Sequence, residues 1–342
     1  MKTKKIIFIF LLMIFFNNSF SQTIQILQSG TKTSIRGLSV VTDKIIWASG
    51  SNGTIAKSTD GGNSWQWLIV KDFEKRDFRD IEAFDSNTAV IMAVAEPAVI
   101  LKTKDGGKNW FKVFEDTTKG MFLDAMDFVG EKGIVIGDPI KNKLFAAVAG
   151  DHGEKWLTVL NNDQKDSLFN LFNGEAFFAS SGTNAKLIAE PMELIQIFFV
   201  SGGIKSKLFF DAKTFELPII QGKESTGANS IDINTKSKKG VIVGGDFAND
   251  KDTTLNCVLL DFNNEVKFSH PQKPPHGYRS CVIYITENQL ITCGTSGIDI
   301  SNDGGNNWQL ISNESFHVVQ KAKKGTAVFL AGNKGRIAQL IQ

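Results

Sequence analysis

Residues 58–65 read STDGGNSW, residues 103–110 read TKDGGKNW, and residues 301–308 read SNDGGNNW. A degenerate fourth copy, AGDHGEKW, occupies residues 149–156. The shared pattern is Ser/Thr-x-Asp-x-Gly-x-x-Trp, and its aspartates at 60, 105 and 151 recur at intervals of about 45 residues, which indicates a repeat architecture. The gap before Asp303 leaves room for about three further, weaker units.

The chemistry of this motif is that of a turn between two strands. The carboxylate and hydroxyl can hydrogen-bond nearby backbone groups, glycine supplies a positive φ, and the tryptophan opens the next strand and packs between sheets. A turn explains every residue, so we interpret the motif as structural rather than catalytic or calcium-binding. Its residues are Ser58, Asp60, Gly62, Trp65, Thr103, Asp105, Gly107, Trp110, Asp151, Gly153, Trp156, Ser301, Asp303, Gly305 and Trp308.

Short apolar strands alternate with Gly/Asn/Asp loops before each turn, which predicts an all-β protein. Seven units begin near residues 35, 78, 121, 175, 228, 278 and 316. The last unit supplies only three strands, and the segment 23–28 can provide the fourth. The prediction is a seven-bladed β-propeller closed by an N-terminal strand, because closure removes open sheet edges. Six blades is the alternative, since the fourth unit is irregular.

The first 21 residues have the layout of a cleaved secretory signal. A basic start is followed by IIFIFLLMIFF at 6–16, too short to span a bilayer, and by small residues up to Ser21. We expect residues 22–342 to form one exported domain, periplasmic or extracellular, although the length alone would allow two. No membrane insertion is expected after cleavage, and a closed ring needs no partner copy, so a monomer is expected.

Charge and cysteine usage exclude several classes of protein. The formal net charge is +2, and Lys2, Lys4 and Lys5 lie in the leader, so the mature chain is near neutral and has no basic field for nucleic acid. Three cysteines are too few for a disulfide framework. Cys281 and Cys293 could form a bridge across a hairpin or act as small buried hydrophobes. No Cys/His cluster has zinc spacing, so no metal and no cofactor are predicted.

Aligning the starts of the inner strands places polar residues at one rim of the central channel. Arginine binds carboxylates and phosphates by bidentate hydrogen bonds, so this rim could hold an anionic group: a carboxylate, an acidic sugar or a protein C-terminus. The alternative is a set of Arg–Asp pairs that tie blades together. The alignment places Leu123 and Glu175 at or near this position in the third and fourth units. The candidate ligand-binding residues are Arg36, Arg79, Asn229, Arg279 and His317.

The repeats resemble the bacterial neuraminidase repeat, or Asp-box. With the export signal and the arginine-rich inner strands, the chain resembles the photosystem II stability/assembly factor family, and most of all its exported bacterial relatives. The segments that carry this resemblance are GDP (137–139), GKESTG (222–227), VGGD (243–246) and PHGYRS (275–280). The resemblance implies a seven-bladed propeller that serves as a binding or assembly platform for a protein partner or an anionic small molecule or glycan.

An enzymatic alternative remains open. Sialidases share the repeat, but Arg36 is followed by Gly37-Leu38 instead of their Ile-Pro, and only Tyr278 or Tyr284 could be the nucleophile. Other glycosidases need two carboxylates about 5–10 Å apart. A weaker alternative is an oxidoreductase, as such relatives are sometimes labelled, but no dinucleotide or CxxC motif is present. The candidate catalytic carboxylates are Asp124, Asp138, Glu175, Glu224 and Asp246.

Overall fold

Each unit, with its alternation of apolar and polar residues, contributes the strands of a four-stranded antiparallel sheet. A computed structural model describes residues 22–160, 169, 171–191 and 194–341. The predicted leader lies outside the described residues. Seven sheets are arranged as the blades of a propeller, as the sequence predicts. Within the described part the chain has no α-helix, and a 3₁₀ turn covers Asn333–Gly335.

The first three blades follow the repeat closely, with each blade running from an inner to an outer strand. Blade 1 contains β2 (Ile35–Val40), β3 (Ile46–Gly50), β4 (Thr54–Ser58) and β5 (Gln66–Ile69). Blade 2 contains β6 (Phe78–Ala83), β7 (Ala89–Ala93), β8 (Ala98–Thr103) and β9 (Phe111–Asp116). Blade 3 contains β10 (Leu123–Val129), β11 (Lys132–Ile140), β12 (Lys143–Gly150) and β13 (Lys155–Leu160).

Blades 4 to 6 include the irregular part of the chain. Blade 4 contains β15 (Ala185–Ala189), β16 (Ile195–Val200), β18 (Lys207–Phe210) and β19 (Lys213–Glu216). Blade 5 contains β20 (Thr226–Asn234), β21 (Lys239–Asp246), β22 (Cys257–Asp261) and β23 (Lys267–Ser269), extended on its inner side by the short strands β14 (Glu175–Ala176) and β17 (Gly202–Gly203). Blade 6 contains β24 (Cys281–Tyr284), β25 (Leu290–Gly294), β26 (Gly297–Ser301) and β27 (Trp308–Ser312).

The seventh blade joins the two ends of the described chain. Its strands are β28 (Val318–Lys321), β29 (Val328–Ala331), β30 (Ile337–Ile341) and β1 (Thr23–Gln28). The outer strand β1 pairs antiparallel with β30, with Thr23 opposite Ile341. The N-terminal closing strand predicted from the sequence is therefore confirmed.

The inner strands are held to one another around the channel by side chains. An inner strand has a free edge whose N–H groups need acceptors. Side-chain oxygens of one inner strand accept N–H groups of the next, which seals these edges from blade to blade. The pairs are Ser39 with Ala83, Asp80 with Met126, Asp127 with Leu187, Ser230 with Val282, and Asp232 with Tyr284, at 2.6–3.0 Å.

The fourth inner strand differs from the sequence-based expectation. The sequence predicts a strand that begins near residue 175, but the inner strand of blade 4 begins at Ala185. Ser180 to Thr183, which we call the crossing segment, instead reach across the channel to other blades. Ser180 meets blade 1 through Arg36, while the Oγ of Ser181 donates to the Ser280 carbonyl in blade 6 at 2.7 Å. The polar Ser-Ser-Gly-Thr sequence suits this role because it hydrogen-bonds in several directions and leaves space at glycine.

The turns that carry the repeat motif lie between the third and fourth strands of a blade. In blade 2 the Asp105 carboxylate accepts the Asn109 N–H at 2.9 Å and the Thr103 hydroxyl at 2.9 Å. Gly107 has φ +88°, and a Cβ there would press on Trp47 at 3.3 Å. These turns thus fix the hairpin and the packing of one blade on its neighbour.

Cys281 and Cys293 face each other in register across the β24–β25 hairpin, and both are buried free thiols, as is Cys257. Among the described residues no helix is long and apolar enough to cross a membrane.

Candidate functional site

Four inner strands carry a β-bulge at the same place, near their channel-rim end. A bulge leaves one residue out of the ladder and redirects its side chain. The register breaks between Ile35 and Gly37, and equivalent breaks occur in blades 2, 3 and 5. The bulged residues are Arg36, Arg79, Asp124 and Asn229. Three ligand-binding candidates from the sequence, Arg36, Arg79 and Asn229, therefore occupy equivalent positions, and blade 3 contributes Asp124 where the alignment placed Leu123.

Arg36 and Arg79, which we call the arginine pair, lie close enough to repel one another. Burial and the nearby Arg79 charge lower the pKa of Arg36. Arg79 forms an ion pair with Asp77 at 2.8 Å, and its guanidinium lies over the Phe122 ring. Arg36 donates to the Ser180 carbonyl at 3.1 Å and forms no ion pair within the described residues. The two positive charges of the arginine pair are thus balanced by only one ion-paired carboxylate, that of Asp77.

His317 adds a neutral ring beside the arginine pair. Its side chain is buried, and its Nε2 lies 3.4 Å from the Ser34 hydroxyl. Burial, together with repulsion from Arg36 and Arg79, lowers the pKa of His317 to about 4. The ring is therefore uncharged at neutral pH and can accept or donate a hydrogen bond without adding charge.

Asn229 and Tyr278 close the other side of this cluster. The Tyr278 hydroxyl donates to the Asn229 side-chain oxygen at 2.8 Å, and the Ser180 hydroxyl approaches the same oxygen at 2.9 Å. Burial raises the pKa of Tyr278 to about 12. A tyrosine held protonated in this way is a poor nucleophile, which disfavours the sialidase alternative.

Asp124 is the one bulge residue with an acidic side chain. It is fully buried, and neither carboxylate oxygen has a hydrogen-bond partner. Burial first, and then the neighbouring Asp138 charge, raise the pKa of Asp124 well above its usual range. Burial also raises the pKa of Asp138 to about 6, although its oxygen accepts the Phe177 N–H at 2.8 Å. Burial and Asp138 thus favour the uncharged form of Asp124, whereas the nearby Arg79 charge favours the carboxylate.

Arg279 does not belong to this cluster. It is fully buried, donates to Asp299 through Nε at 2.8 Å, and forms an ion pair with the same carboxylate through Nη2. The backbone N–H of Arg279 donates to the Gly244 carbonyl of the preceding blade. The backbone N–H of Ile35 donates in the same way to the Gly332 carbonyl, so Arg279 is equivalent to Ile35 rather than to Arg36. Ser280 holds the channel position in blade 6, and the sequence alignment was one residue out there.

The other carboxylate candidates are separate from the arginine pair. Glu175 is buried against Lys207 at 2.8 Å and Ser201 at 2.6 Å, an internal ion pair that ties blade 4 to β14. Glu224 is exposed in the loop before β20. Asp246 caps its own loop, accepting the Ala248 N–H at 2.9 Å. Of the five candidates, only Asp124 and Asp138 influence each other's charge.

The site therefore consists of two arginines, a neutral histidine, a buried acid whose pKa is raised, and amide and hydroxyl groups. Sequence reasoning missed Asp77 and Ser180, and it considered Tyr278 only as a possible nucleophile. The crossing segment that carries Ser180 has no repeat signature. No group of three or more His, Cys, Asp or Glu side chains in the described ranges could hold a metal ion. The arrangement is suited to holding an anion.

The fold was compared with known proteins. No protein-family profile and no curated sequence matches the chain. A structure of YCF48 bound to a D1 peptide is 17% identical with a TM-score of 0.64, covering 95% of this chain and 96% of that one. YCF48 from Cyanidioschyzon merolae is 15% identical with a TM-score of 0.62, over 93% and 98% of the two chains.

A glycoside hydrolase also shares the architecture. The GH74 enzyme of Niastella koreensis is 14% identical with a TM-score of 0.58, covering 92% of this chain but 53% of that one. At these identities the likeness concerns the fold. The chain is a seven-bladed propeller that resembles the photosystem II assembly factor YCF48 over nearly its whole length.

Proposed function

We propose that this protein is a binding module that holds a partner polypeptide through a carboxylate at the arginine pair. The observation that carries the proposal is that Arg36 is half-buried, repelled by Arg79, and without an ionic partner among the described residues. An incoming carboxylate would relieve that repulsion and form charge-assisted hydrogen bonds. Because the pKa of His317 is lowered to about 4, its ring adds no charge at neutral pH and leaves the pair's positive charge available.

The structural neighbours support a polypeptide as the ligand. YCF48 has been solved bound to a D1 peptide, so a propeller of this shape can bind a peptide. A peptide C-terminus fits the rim because its single carboxylate matches the two guanidinium groups, while its backbone could use the Asn229 and Ser180 groups.

The test is calorimetric titration of short N-acetylated peptides with a free C-terminus and of the same peptides amidated. The free-acid peptides should bind, and Arg36→Ala should weaken binding about ten- to a hundredfold, as expected for hydrogen bonds to charged groups. Arg336→Ala is the matched control, because Arg336 pairs with exposed Glu314 and lies outside the cluster. The proposal would be contradicted if free-acid and amidated peptides bound equally well. It would also be contradicted if Arg36→Ala bound the free-acid peptides as well as Arg336→Ala does.

The leader sequence supports export as the setting of this binding. The expected observation is a mature N-terminus at Gln22 in the periplasmic or extracellular fraction, read by mass spectrometry. Retention of the intact leader in the cytoplasm would contradict it.

A glycosidase is the second candidate. It is favoured by the GH74 neighbour and by the raised pKa of Asp124 and Asp138, since a glycosidase acid needs such a shift. Turnover of chromogenic glycosides that is lost in Asp138→Asn would establish it in place of the binding role.

A further inference from the structure

The channel contains a chamber on the side of the crossing segment away from the arginine pair. Its volume is about 430 Å³, within the range of roughly 300–1,000 Å³ typical of small-molecule sites. Gly182 and Thr183 line it, and neither Arg36 nor Arg79 does. The crossing segment contributes to the chamber wall, and so do Lys323 and Lys324, which follow the inner strand of blade 7.

All seven blades contribute one side chain at the same register to the chamber wall. In the four blades with a bulge, this residue lies three positions after the bulged one. In the other three blades it lies at the equivalent position. All seven residues face the channel, and six of them are polar. We call these the chamber ring: Ser39, Glu82, Asp127, Lys186, Asp232, Ile283 and Gln320.

The chamber ring carries charges of both signs, side by side. Lys186 pairs with Asp232 at 3.1 Å, yet 35% of its side-chain surface is accessible, and that surface faces the chamber. Glu82 pairs with Lys323 and accepts from the Ser39 hydroxyl at 3.3 Å. Three carboxyl groups and two ammonium groups therefore line one small space: Glu82, Asp127 and Asp232, with Lys186 and Lys323.

Some polar capacity in the chamber is unused. The Gln320 amide makes no side-chain hydrogen bond within the described residues, and it is half-buried at the wall. Phe84 and Phe128, in edge-to-face contact at 5.3 Å, add apolar surface beside it. A site with several convergent polar groups and an aromatic wall is built to orient a small polar ligand.

We propose that the chamber binds an uncharged polyhydroxylated molecule of the size of one or two sugar rings. An anion would meet Glu82, Asp127 and Asp232, and a cation would meet Lys186 and Lys323, so net charge is disfavoured. Hydroxyl groups donate to carboxylates and accept from ammonium and amide N–H groups, and therefore satisfy both kinds of wall. This site is independent of the peptide site proposed for the arginine pair.

The experiment is saturation-transfer NMR and calorimetry on the mature chain with glucose, galactose, maltose and cellobiose, beside glucuronate and glucose 6-phosphate. At least one neutral sugar should bind, and its charged counterparts should bind more weakly. Gln320→Leu should weaken that binding about tenfold through the lost amide. Gln309→Leu, on the exposed side of β27, is the matched control and should bind as the wild type does.

A second variant protects the test against misfolding. Gln320→Trp fills the chamber, so it should abolish sugar binding while an unchanged melting curve shows that the ring is intact. Arg36→Ala should leave sugar binding unchanged, which separates this proposal from the peptide proposal. Absence of binding by every neutral sugar, preference for the charged ones, or binding insensitive to both Gln320 variants would each overturn it.

Discussion

Single residues near the arginine pair have pKa values that are shifted by their surroundings. Burial raises the pKa of Asp124 well above its usual range, and burial beside two cations lowers the pKa of His317 to about 4. Their pH dependences have opposite signs. A buried neutral acid favours the folded state at low pH, whereas a buried neutral histidine favours it at high pH.

The His317→Gln variant should change the acid sensitivity of the protein. The unfolded state binds a proton near pH 6.5 and the folded state only near pH 4, so His317 makes the wild type lose up to about 3 kcal/mol of unfolding free energy across that window. The variant should lack this loss. Urea unfolding at pH 7, 6, 5 and 4 measures the difference, and exposed His270→Gln should follow the wild type. Parallel curves for His317→Gln and the wild type would show that the ring gains no proton on unfolding.

The orientation of the Arg279 side chain could not be predicted from the sequence. The sequence predicts that polar residues gather at the rim, and the structure places Arg36 and Arg79 at equivalent bulges. Bulges themselves have no clear signature in a single sequence, so the register of blade 6 could not be fixed, and a slip of one residue reverses a side chain. Arg279 consequently lies inside its blade on Asp299.

At the scale of elements, the turns and the crossing segment behave differently. The turns are predictable because their hydrogen bonds are local, and residues four apart supply both donor and acceptor. The crossing segment is not, because Ser180 and Ser181 find partners about 50 to 140 residues away. Repetition in the sequence therefore identifies the blades, but it does not predict the path of the crossing segment, which interrupts the repeat.

Asp105→Ala should destabilise the second blade and leave ligand binding intact. Hydrogen bonds from Asn109 and Thr103 lower the pKa of Asp105 to about 2, so its stabilisation is present above about pH 4 and is lost as the pH falls through 2. The thermal midpoint should fall at pH 7, and the difference from the wild type should shrink near pH 2. Glu115→Ala, in an exposed ion pair on β9, is the control and should be close to neutral. Normal stability with lost binding would reassign Asp105 to a functional role.

At the scale of the whole molecule, one outer strand closes the ring. β1 covers the edge of β30, and Ile24 and Leu27 pack on the core shared by blades 1, 6 and 7. Without it, the edge of β30 would be free to pair with another chain.

Deletion of residues 22–28 from the mature chain should therefore lower the melting temperature and produce oligomers, as measured by calorimetry and size-exclusion chromatography. A synthetic peptide of residues 22–29 added in excess should restore the monomer, whereas a scrambled peptide should not. A monomeric deletion variant with an unchanged melting curve would show that three strands suffice in blade 7.

The pairing of β1 with β30 also has a consequence for biogenesis. During synthesis β1 emerges first and its partner emerges last, so the nascent chain cannot complete the propeller until translation of this region has ended. Prematurely terminated chains would lack the partner and present β1 unpaired to proteases. The closing strand thus couples formation of the complete ring to synthesis of β30.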